Sequence, residues 1–434
     1  MPIPRTKIVA MATVLTGLLL PGGAALAGGP LIVADDGSPY VWDTSAAIAY
    51  RTDNGPLSAT VTEASARARV IAMFNVWQGV TTANIAYTRA GAITATGAFG
   101  GGDVDTVAEY NAVVDACNTG AQSPIVYDAA AAIFSGLGMD QTAVIGFAGP
   151  CTISNGAPFQ IGSGKAVMNG LFQDGVTSPS NPEITPAQFD AAFIHEFGHF
   201  SGLDHSQINV NCFTGPSCTT DDLAGLPTMF PFLVDDSQGV LSDDDIAWIS
   251  RLYPQTGGGA TFANSYGTIT GTVVFSDGLS HAQGVNVIAR RVDTGANQDR
   301  TNAVSVVSGF KFTSNPGQTV TANYLPCAPA NACPPNGFVD DNSGGSSFGS
   351  RQSGDIGLFE IPVPAGFAYT VEVEAIDPAF DAGSSVGPLD PPIPMPGVAP
   401  APVATAVVSA GATVSVGNLV LIGTDPRFDQ FEGP

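Results

Sequence analysis

The stretch HEFGHFSGLDH, residues 195–205, contains three of the four histidines of the chain. If this stretch is helical, His195 and His199 lie four residues apart on one face, where both imidazoles can bind the same ion. Glu196 follows the first of them and can reach a water molecule on that ion. The spacing therefore predicts a metal site with a carboxylate beside it.

The residues after this helix complete the predicted site. Gly202 can adopt the left-handed conformation that ends a helix, so the chain turns back and His205 supplies a third nitrogen. Three imidazoles leave the fourth position of a tetrahedral zinc open, which is typical of catalytic zinc. A core helix with chance histidines is the alternative, and the glycine and third histidine at these offsets argue against it.

The stretch resembles the HExxHxxGxxH signature of the metzincin zinc peptidases, and within that clan it is most similar to the matrixins. Ser206, directly after the third histidine, matches the matrixin choice. The segment TMFP at 228–231 resembles the methionine turn of the clan, with Phe230 where matrixins often carry Tyr. The resemblance implies that Met229 forms a floor under the metal without binding it.

Residues 241–253 resemble the final helix of the matrixins. Trp248 stands where Gly is usual, and Ser250 stands where Gln is usual. The resemblance suggests that Asp244 or Asp245 braces the methionine turn by hydrogen bonds, and ordinary surface carboxylates are the alternative.

The resemblance implies an α+β fold in which a zincin-like domain, a twisted mixed sheet plus three helices, carries the site. It implies one catalytic zinc held by His195, His199 and His205. It also implies Glu196 as the general base and proteins or peptides as substrates. The edge strand predicted at 142–148 would bind the substrate backbone. No histidine precedes His195, so the second, structural zinc of many matrixins is not expected.

The composition restricts the partners and the location of the chain. A net charge of −24 with only 12% charged residues argues against nucleic acid and anionic membranes as partners. Arg5, Lys7, an apolar run over 8–20 and the Ala25–Ala27 motif predict a signal peptide, residues 1–27. The run is too short for a membrane span. A secreted protein, cleaved near Ala27, is therefore expected.

Six cysteines in an exported chain predict disulfides. Close spacing and elimination favour three pairs: Cys212 with Cys218, Cys327 with Cys333, and Cys117 with Cys151. Four of these cysteines lie in the first domain and allow three connectivities, so the pairing is a preference. Calcium at Asp103 and Asp105 is conceivable in a Gly/Asp-rich loop, but a solvated loop is favoured because no full ligand set is visible.

Hydrophobic patterns and caps predict the elements of the first domain, residues 28–256. Helices are predicted to begin after Thr62, Thr185 and Ser242, each of which can cap a helix. Alternating patterns predict strands at 46–51, 84–88, 124–128, 142–148 and 165–172.

Residues 257–434 follow a Gly-rich break and alternate in hydrophobicity without a helical period. Strands are predicted at 267–275, 284–292, 357–363, 369–376 and 413–422. Short strands with turn signals between them predict a β-sandwich. The segments at 267–271, 284–287 and 364–366 resemble the carboxypeptidase regulatory-like, or prealbumin-like, fold. Such a domain could recruit the enzyme to a surface or polymer, and its deletion after residue 260 would then spare peptide cleavage. A monomer is expected.

The sequence thus predicts a secreted zinc endopeptidase. The alternative from another class is an extracellular binding or adhesion protein with a vestigial zinc domain. The intact motif, methionine turn and final helix argue against it, because function lies in the site rather than in the fold.

Overall fold

The structure is a computed structural model of the 434-residue chain. It describes residues 9–10, 28–177, 183–209, 212, 219–274, 278–279, 281, 285–292, 301–311, 350, 352–355, 357–374 and 403–421. The predicted signal peptide lies outside these residues apart from Val9–Ala10. Cys218, Cys327 and Cys333 also lie outside them.

Proximity of Cα atoms divides the chain into two units that alternate along the sequence. The first unit contains residues 1–19, 40–203 and 231–241, and the second contains residues 20–39, 204–230 and 242–434. The contiguous boundary near residue 256 stays a prediction.

The described helices and strands have the following bounds. The helices are α1 (Glu63–Gln78), α2 (Val107–Asn118), α3 (Ala132–Gly136), α4 (Pro186–Phe200), α5 (Thr220–Ala224), α6 (Asp243–Leu252) and α7 (Phe262–Ser265). The first eight strands are β1 (Val9–Ala10), β2 (Val41–Trp42), β3 (Ile48–Thr52), β4 (Tyr87–Ala92), β5 (Pro124–Asp128), β6 (Gly146–Ile153), β7 (Gln160–Asn169) and β8 (Phe232–Leu233). The last seven are β9 (Tyr266–Val274), β10 (Asn286–Val292), β11 (Ala303–Val307), β12 (Leu358–Pro364), β13 (Phe367–Glu374), β14 (Val403–Val408) and β15 (Thr413–Val420).

The first unit contains a mixed sheet of six strands in the order β2-β7-β5-β3-β4, with β6 added to β7. All neighbours along this path are parallel, and β6 is antiparallel to β7. Ala166 on β7 pairs with Ile125 on one side and with Ala148 of β6 on the other. Among the described strands, β6 therefore forms an edge of the sheet.

Helices cover both faces of this sheet. On one face, Tyr110, Val113 and Val114 of α2 belong to a buried cluster with Val126 and Phe147 of the sheet. On the other face α4 packs against β6 and β7, and α1 packs against α4. The sheet is therefore buried on both sides, as expected for strands that are mostly parallel.

The second unit contains two smaller sheets. The strands β11-β10-β13-β14 form a four-stranded antiparallel sheet. In the three-stranded sheet β12-β9-β15, β9 is antiparallel to β12 and parallel to β15. The two sheets contact each other, and α6 contacts β11 and β12.

Several sheets and a few helices are consistent with the predicted α+β class. Helices α1, α4 and α6 begin directly after the predicted caps Thr62, Thr185 and Ser242, whose side chains accept hydrogen bonds from the first turn. The expectation of three helices was too low, because α2 has twelve residues and was not predicted. In the described part of the chain, no helix is both long and apolar enough to cross a bilayer.

Candidate metal centre

Helix α4 carries the first two histidines and begins with a capping box. Thr185 and Gln188 bond each other's backbone, and Pro186 occupies the first turn, where its missing N–H costs nothing. From this start to Phe200 the helix becomes increasingly buried, and every residue from Ala191 onward is buried. A helix that is apolar all round must lie inside the molecule, and its few polar side chains are therefore placed in the core.

Two tryptophans from other elements hold the backbone of α4. The indole Nε1 of Trp77 on α1 donates to the carbonyl of Ile194 at 2.8 Å, and Phe74 stacks on Phe197 with ring centroids 3.7 Å apart. The indole Nε1 of Trp42 on β2 donates to the carbonyl of Phe200 at 2.8 Å. These contacts fix the rotation of the helix about its axis, and therefore the direction in which its histidines point.

The helix ends as the sequence predicts. Gly202 has φ +87°, in the left-handed region, and the N–H of Leu203 donates to the carbonyl of Gly198 at 2.9 Å. This pattern is a common C-terminal cap, and it requires glycine because a side chain is disfavoured at this φ. The turn directs the chain from His199 toward His205.

The three predicted ligands come together in a buried group. His195, His199 and His205 are 0% exposed, and one ring nitrogen from each lies within 4.8 Å of the other two. The Nε2 atoms of His195 and His199 are 3.0 Å apart. Tetrahedral zinc with Zn–N bonds of about 2.05 Å would hold its nitrogens about 3.3 Å apart. The group could therefore bind a metal ion.

A hydrogen bond to a backbone carbonyl decides which ring nitrogen of His199 carries the proton. Its Nδ1 lies 2.8 Å from the carbonyl oxygen of Leu203, which can only accept, so Nδ1 carries the proton and Nε2 offers its lone pair. Burial lowers the pKa of His199 to about 4, against the opposing effect of that hydrogen bond. The ring is thus neutral near pH 7, and the neutral imidazole is the form that binds metal ions.

Glu196 has a buried carboxyl group without a bonding partner. The residue is 0% exposed, and neither Oε1 nor Oε2 has a hydrogen-bond partner among the described residues. Burial raises the pKa of this carboxyl well above its usual value. An unsatisfied carboxyl in the core costs free energy. The carboxyl group of Glu196 is therefore suited to form a hydrogen bond with a bound water molecule or ligand.

The backbone of β6 lies directly against Glu196. A Cβ built on Gly146, the first residue of β6, would lie 2.8 Å from Cγ of Glu196 and 3.0 Å from its Oε1. Gly146 was not among the predicted site residues. Nothing in the sequence identifies it, because its importance depends on a neighbour 50 positions away that only folding brings close.

No family model and no curated protein matches this chain. The metal site therefore rests on its own geometry.

The predicted methionine turn is held by one of the two candidate aspartates. Asp245 on α6 accepts hydrogen bonds from the backbone N–H groups of Thr228 and Met229, each at 3.0 Å. Asp244 instead accepts from a backbone N–H of β11. The carbonyl of Met229 accepts from the N–H of Ser206 at 2.8 Å, which ties this turn to the residue after His205.

One predicted disulfide is confirmed. Cys117 is bonded to Cys151, with their Cα atoms 5.7 Å apart. Cys212 is also disulfide-bonded. The described part of the chain does not gather Asp103 and Asp105 into a group of three or more metal-ligand residues, and the calcium alternative to a solvated loop stays untested.

Proposed function

We propose that this chain is a secreted zinc-dependent endopeptidase of the matrixin-like metzincin type. In this proposal a zincin-like domain at 28–256 precedes a β-sandwich that resembles the carboxypeptidase regulatory-like fold. The observation that carries the proposal is the convergence of three buried imidazoles, together with the buried and unpartnered carboxyl group of Glu196, the residue next to His195. A buried polar group without a partner usually has a functional reason.

The donor set favours zinc. Imidazole nitrogens suit zinc, copper, iron and nickel, whereas calcium and magnesium prefer oxygen. Three protein ligands with one open position are the pattern of catalytic zinc. Bound zinc would supply Lewis acidity toward a scissile carbonyl and would acidify water.

The residues of the chain supply the remaining chemistry. In the proposed reaction Glu196 accepts the proton of the attacking water at one of its unpartnered oxygens and delivers it to the leaving amine nitrogen. Leu203 keeps Nε2 of His199 unprotonated through its hydrogen bond to Nδ1. Trp42 and Trp77 hold helix α4, which carries both Glu196 and His199. These two side chains therefore need not reorganise during the reaction.

The edge strand β6 supports a peptide as the substrate. It pairs with β7 along one side, and none of the described strands occupies its other side. An extended peptide can add to such an edge through backbone hydrogen bonds, which makes binding tolerant of sequence. Since β6 begins at Gly146, which touches Glu196, a peptide on this edge would pass close to the general base.

The test is proteolysis with matched metal analysis. The purified mature chain should cleave casein or gelatin, lose activity with a chelator and regain it with added zinc. Glu196→Gln should keep zinc near one per chain and lose roughly 10²–10⁴-fold in turnover. His199→Ala should lose both zinc and activity. Glu63→Gln, the same change at a half-buried residue of α1 that pairs with Arg67, is the control and should keep both zinc and activity.

Cleavage that survives chelation, or that persists in Glu196→Gln, would refute the mechanism. Zinc near one per chain without cleavage of any protein substrate would instead favour the binding or adhesion protein.

A further inference from the structure

The four residues that directly follow His205, residues 206–209, are here named the ligand segment. Two buried side chains of the four-stranded sheet form hydrogen bonds to this segment. Nδ2 of Asn286 on β10 donates to the carbonyl of Gln207 at 2.8 Å. Nη2 of Arg290 on the same strand donates to Oδ1 of Asn209 at 2.9 Å. All four of these residues are at most 1% exposed, so water does not compete for these bonds.

The bond between Arg290 and Asn209 is part of a larger network. Asn209 has φ +59°, a conformation that needs support in a residue with a side chain, and its Nδ2 donates to the carbonyl of Asp222 at 2.8 Å. Nε of Arg290 pairs with Oε2 of Glu372 on β13 at 3.2 Å. The guanidinium, 0% exposed, thus joins two strands of the sheet to the end of the ligand segment.

The centre of the ligand segment packs on the same sheet. Ile208 forms a buried cluster with Ile288 of β10 and Ala303 of β11. The hydroxyl groups of Ser206 and Ser305 lie 3.3 Å apart. Each of the four residues after His205 therefore has a contact to β10 or β11.

Helix α6 covers the outer edge of β11. Oδ1 of Asp244 accepts from the N–H of Ser305 at 2.7 Å, and Nε1 of Trp248 donates to the carbonyl of Ser305 at 2.8 Å. Trp248 also contacts the ring of Phe310, with centroids 6.0 Å apart. These side chains take the place of a further strand at this edge. They also account for Trp248, where the matrixin pattern has glycine.

We propose that the four-stranded sheet is a structural part of the metal centre, and that Asn286 and Arg290 are positioning residues for His205. The sheet holds the ligand segment, so the third imidazole is in place before the metal binds. Pre-organisation of this kind lowers the cost of binding, and loss of outer partners of metal ligands typically weakens binding 10–100-fold. The proposal uses the metal site of the proposed function but does not require peptidase activity.

The test uses the full chain with Arg290→Met, which keeps the apolar stem and removes the donors. Zinc affinity is measured by competition with a chromophoric chelator, and backbone amide exchange is followed in the metal-free protein. We expect a zinc Kd 10–100-fold above that of the wild type and faster exchange confined to residues 206–209. The zinc Kd and the amide exchange of Arg290→Lys should lie closer to those of the wild type. Should Arg290→Met fail to fold, Asn286→Ala is measured in the same way.

Arg291→Met is the matched control. Arg291 lies next along β10, stacks over Phe367 and forms a long ion pair of 3.9 Å with Asp243. Arg291→Met should leave the zinc Kd and the amide exchange of residues 206–209 unchanged. Unchanged affinity and exchange in Arg290→Met and Asn286→Ala, or an equal effect of Arg291→Met, would overturn the proposal. If the wild type binds no zinc, the proposed function fails, and the exchange of residues 206–209 still decides whether the sheet holds them.

Discussion

At the scale of single residues, Gly146 is a position where one added methyl group would press on Glu196. A Cβ at this position would lie 2.8 Å from Cγ of Glu196, closer than real Cβ contacts allow, so the Glu196 side chain must move in Gly146→Ala. Displacement of a catalytic group by about 1 Å can cost about 100-fold in rate. For the proposed zinc peptidase we therefore expect kcat to fall roughly 10–100-fold while zinc content stays near that of the wild type. Steady-state kinetics and metal analysis of the same sample check this.

Gly156→Ala is the control for that variant. Gly156 lies in the connection between β6 and β7, and no atom lies within 4 Å of the Cβ that it would acquire. The same chemical change there should leave kcat unchanged. Equal kinetics in the wild type and Gly146→Ala would show that Glu196 tolerates the crowding, and loss of zinc in Gly146→Ala would point to disruption of the ligands instead.

The sequence identifies the residues of the metal motif more readily than the distant residues that hold them in position. His195, Glu196, His199, Gly202 and His205 are identified by local spacing, because a helix and one turn bring them together. Their supports, such as the tryptophans that bond the carbonyls of α4, come from distant positions. A tryptophan in a sequence gives no sign of which carbonyl its indole will reach.

At the scale of elements, the disulfide joins α2 to the edge strand β6. Cys117 and Cys151 are separated by 34 positions, and the loop they close restricts the unfolded chain by about 4 kcal/mol on the chain-entropy model. The double variant Cys117→Ala with Cys151→Ala should lower the free energy of unfolding by about 2–4 kcal/mol, as measured by urea denaturation.

The matched comparison for that variant is the wild type in the presence of a reductant. If the closed loop is the cause, reduction should lower the free energy of unfolding of the wild type by about 2–4 kcal/mol more than that of the double variant, which keeps the disulfide of Cys212. A double variant as stable as the oxidised wild type would show that α2 is held by its packing alone.

Helix α2 was readable in the sequence although it was not predicted. Thr106 and Glu109 form a capping box, and the buried residues Tyr110, Val113 and Cys117 recur at helical spacing. The residues directly before this helix are rich in Gly and Asp and indicate a loop. The capping box and the helical spacing that follow them were sufficient to predict α2.

The edge strand shows a different limit. It was predicted at 142–148 and is observed as β6, Gly146–Ile153. Thr142 belongs to a turn, since its N–H and hydroxyl both bond the carboxylate of Asp140. The strand continues through Pro150, where the register with β7 shifts. Proline is tolerated at an edge or a bulge, and a sequence does not reveal that a strand is an edge.

At the scale of the whole molecule, the contacts of β10 and β11 predict the effect of truncation. A chain that ends at residue 260 leaves Ile208 and Trp248 without the strands on which they pack, and Asp244 loses the donor N–H of Ser305. We expect lower soluble yield and faster proteolytic cleavage within residues 204–230 than in the full chain, as followed by limited proteolysis with mass spectrometry.

This expectation opposes the one drawn from sequence alone, in which deletion after residue 260 spares peptide cleavage. Native-like protection and full activity of the truncated chain would favour a separable recruitment domain. Loss of protection at residues 204–230 would favour a sheet that belongs to the site.

The sequence by itself determined the metal-ligand motif, the caps of its helices, the α+β class and the Cys117–Cys151 pair as one favoured choice. Each of these depends on spacing along a short stretch or on counting, and such information survives in one dimension. Tertiary structure alone decided that Gly146 contacts Glu196, that Asp245 rather than Asp244 holds the methionine turn, and that the ligand segment packs on β10 and β11. These depend on which side chains meet after folding, and contacts between positions 16 to 99 apart leave no periodic pattern in a single sequence.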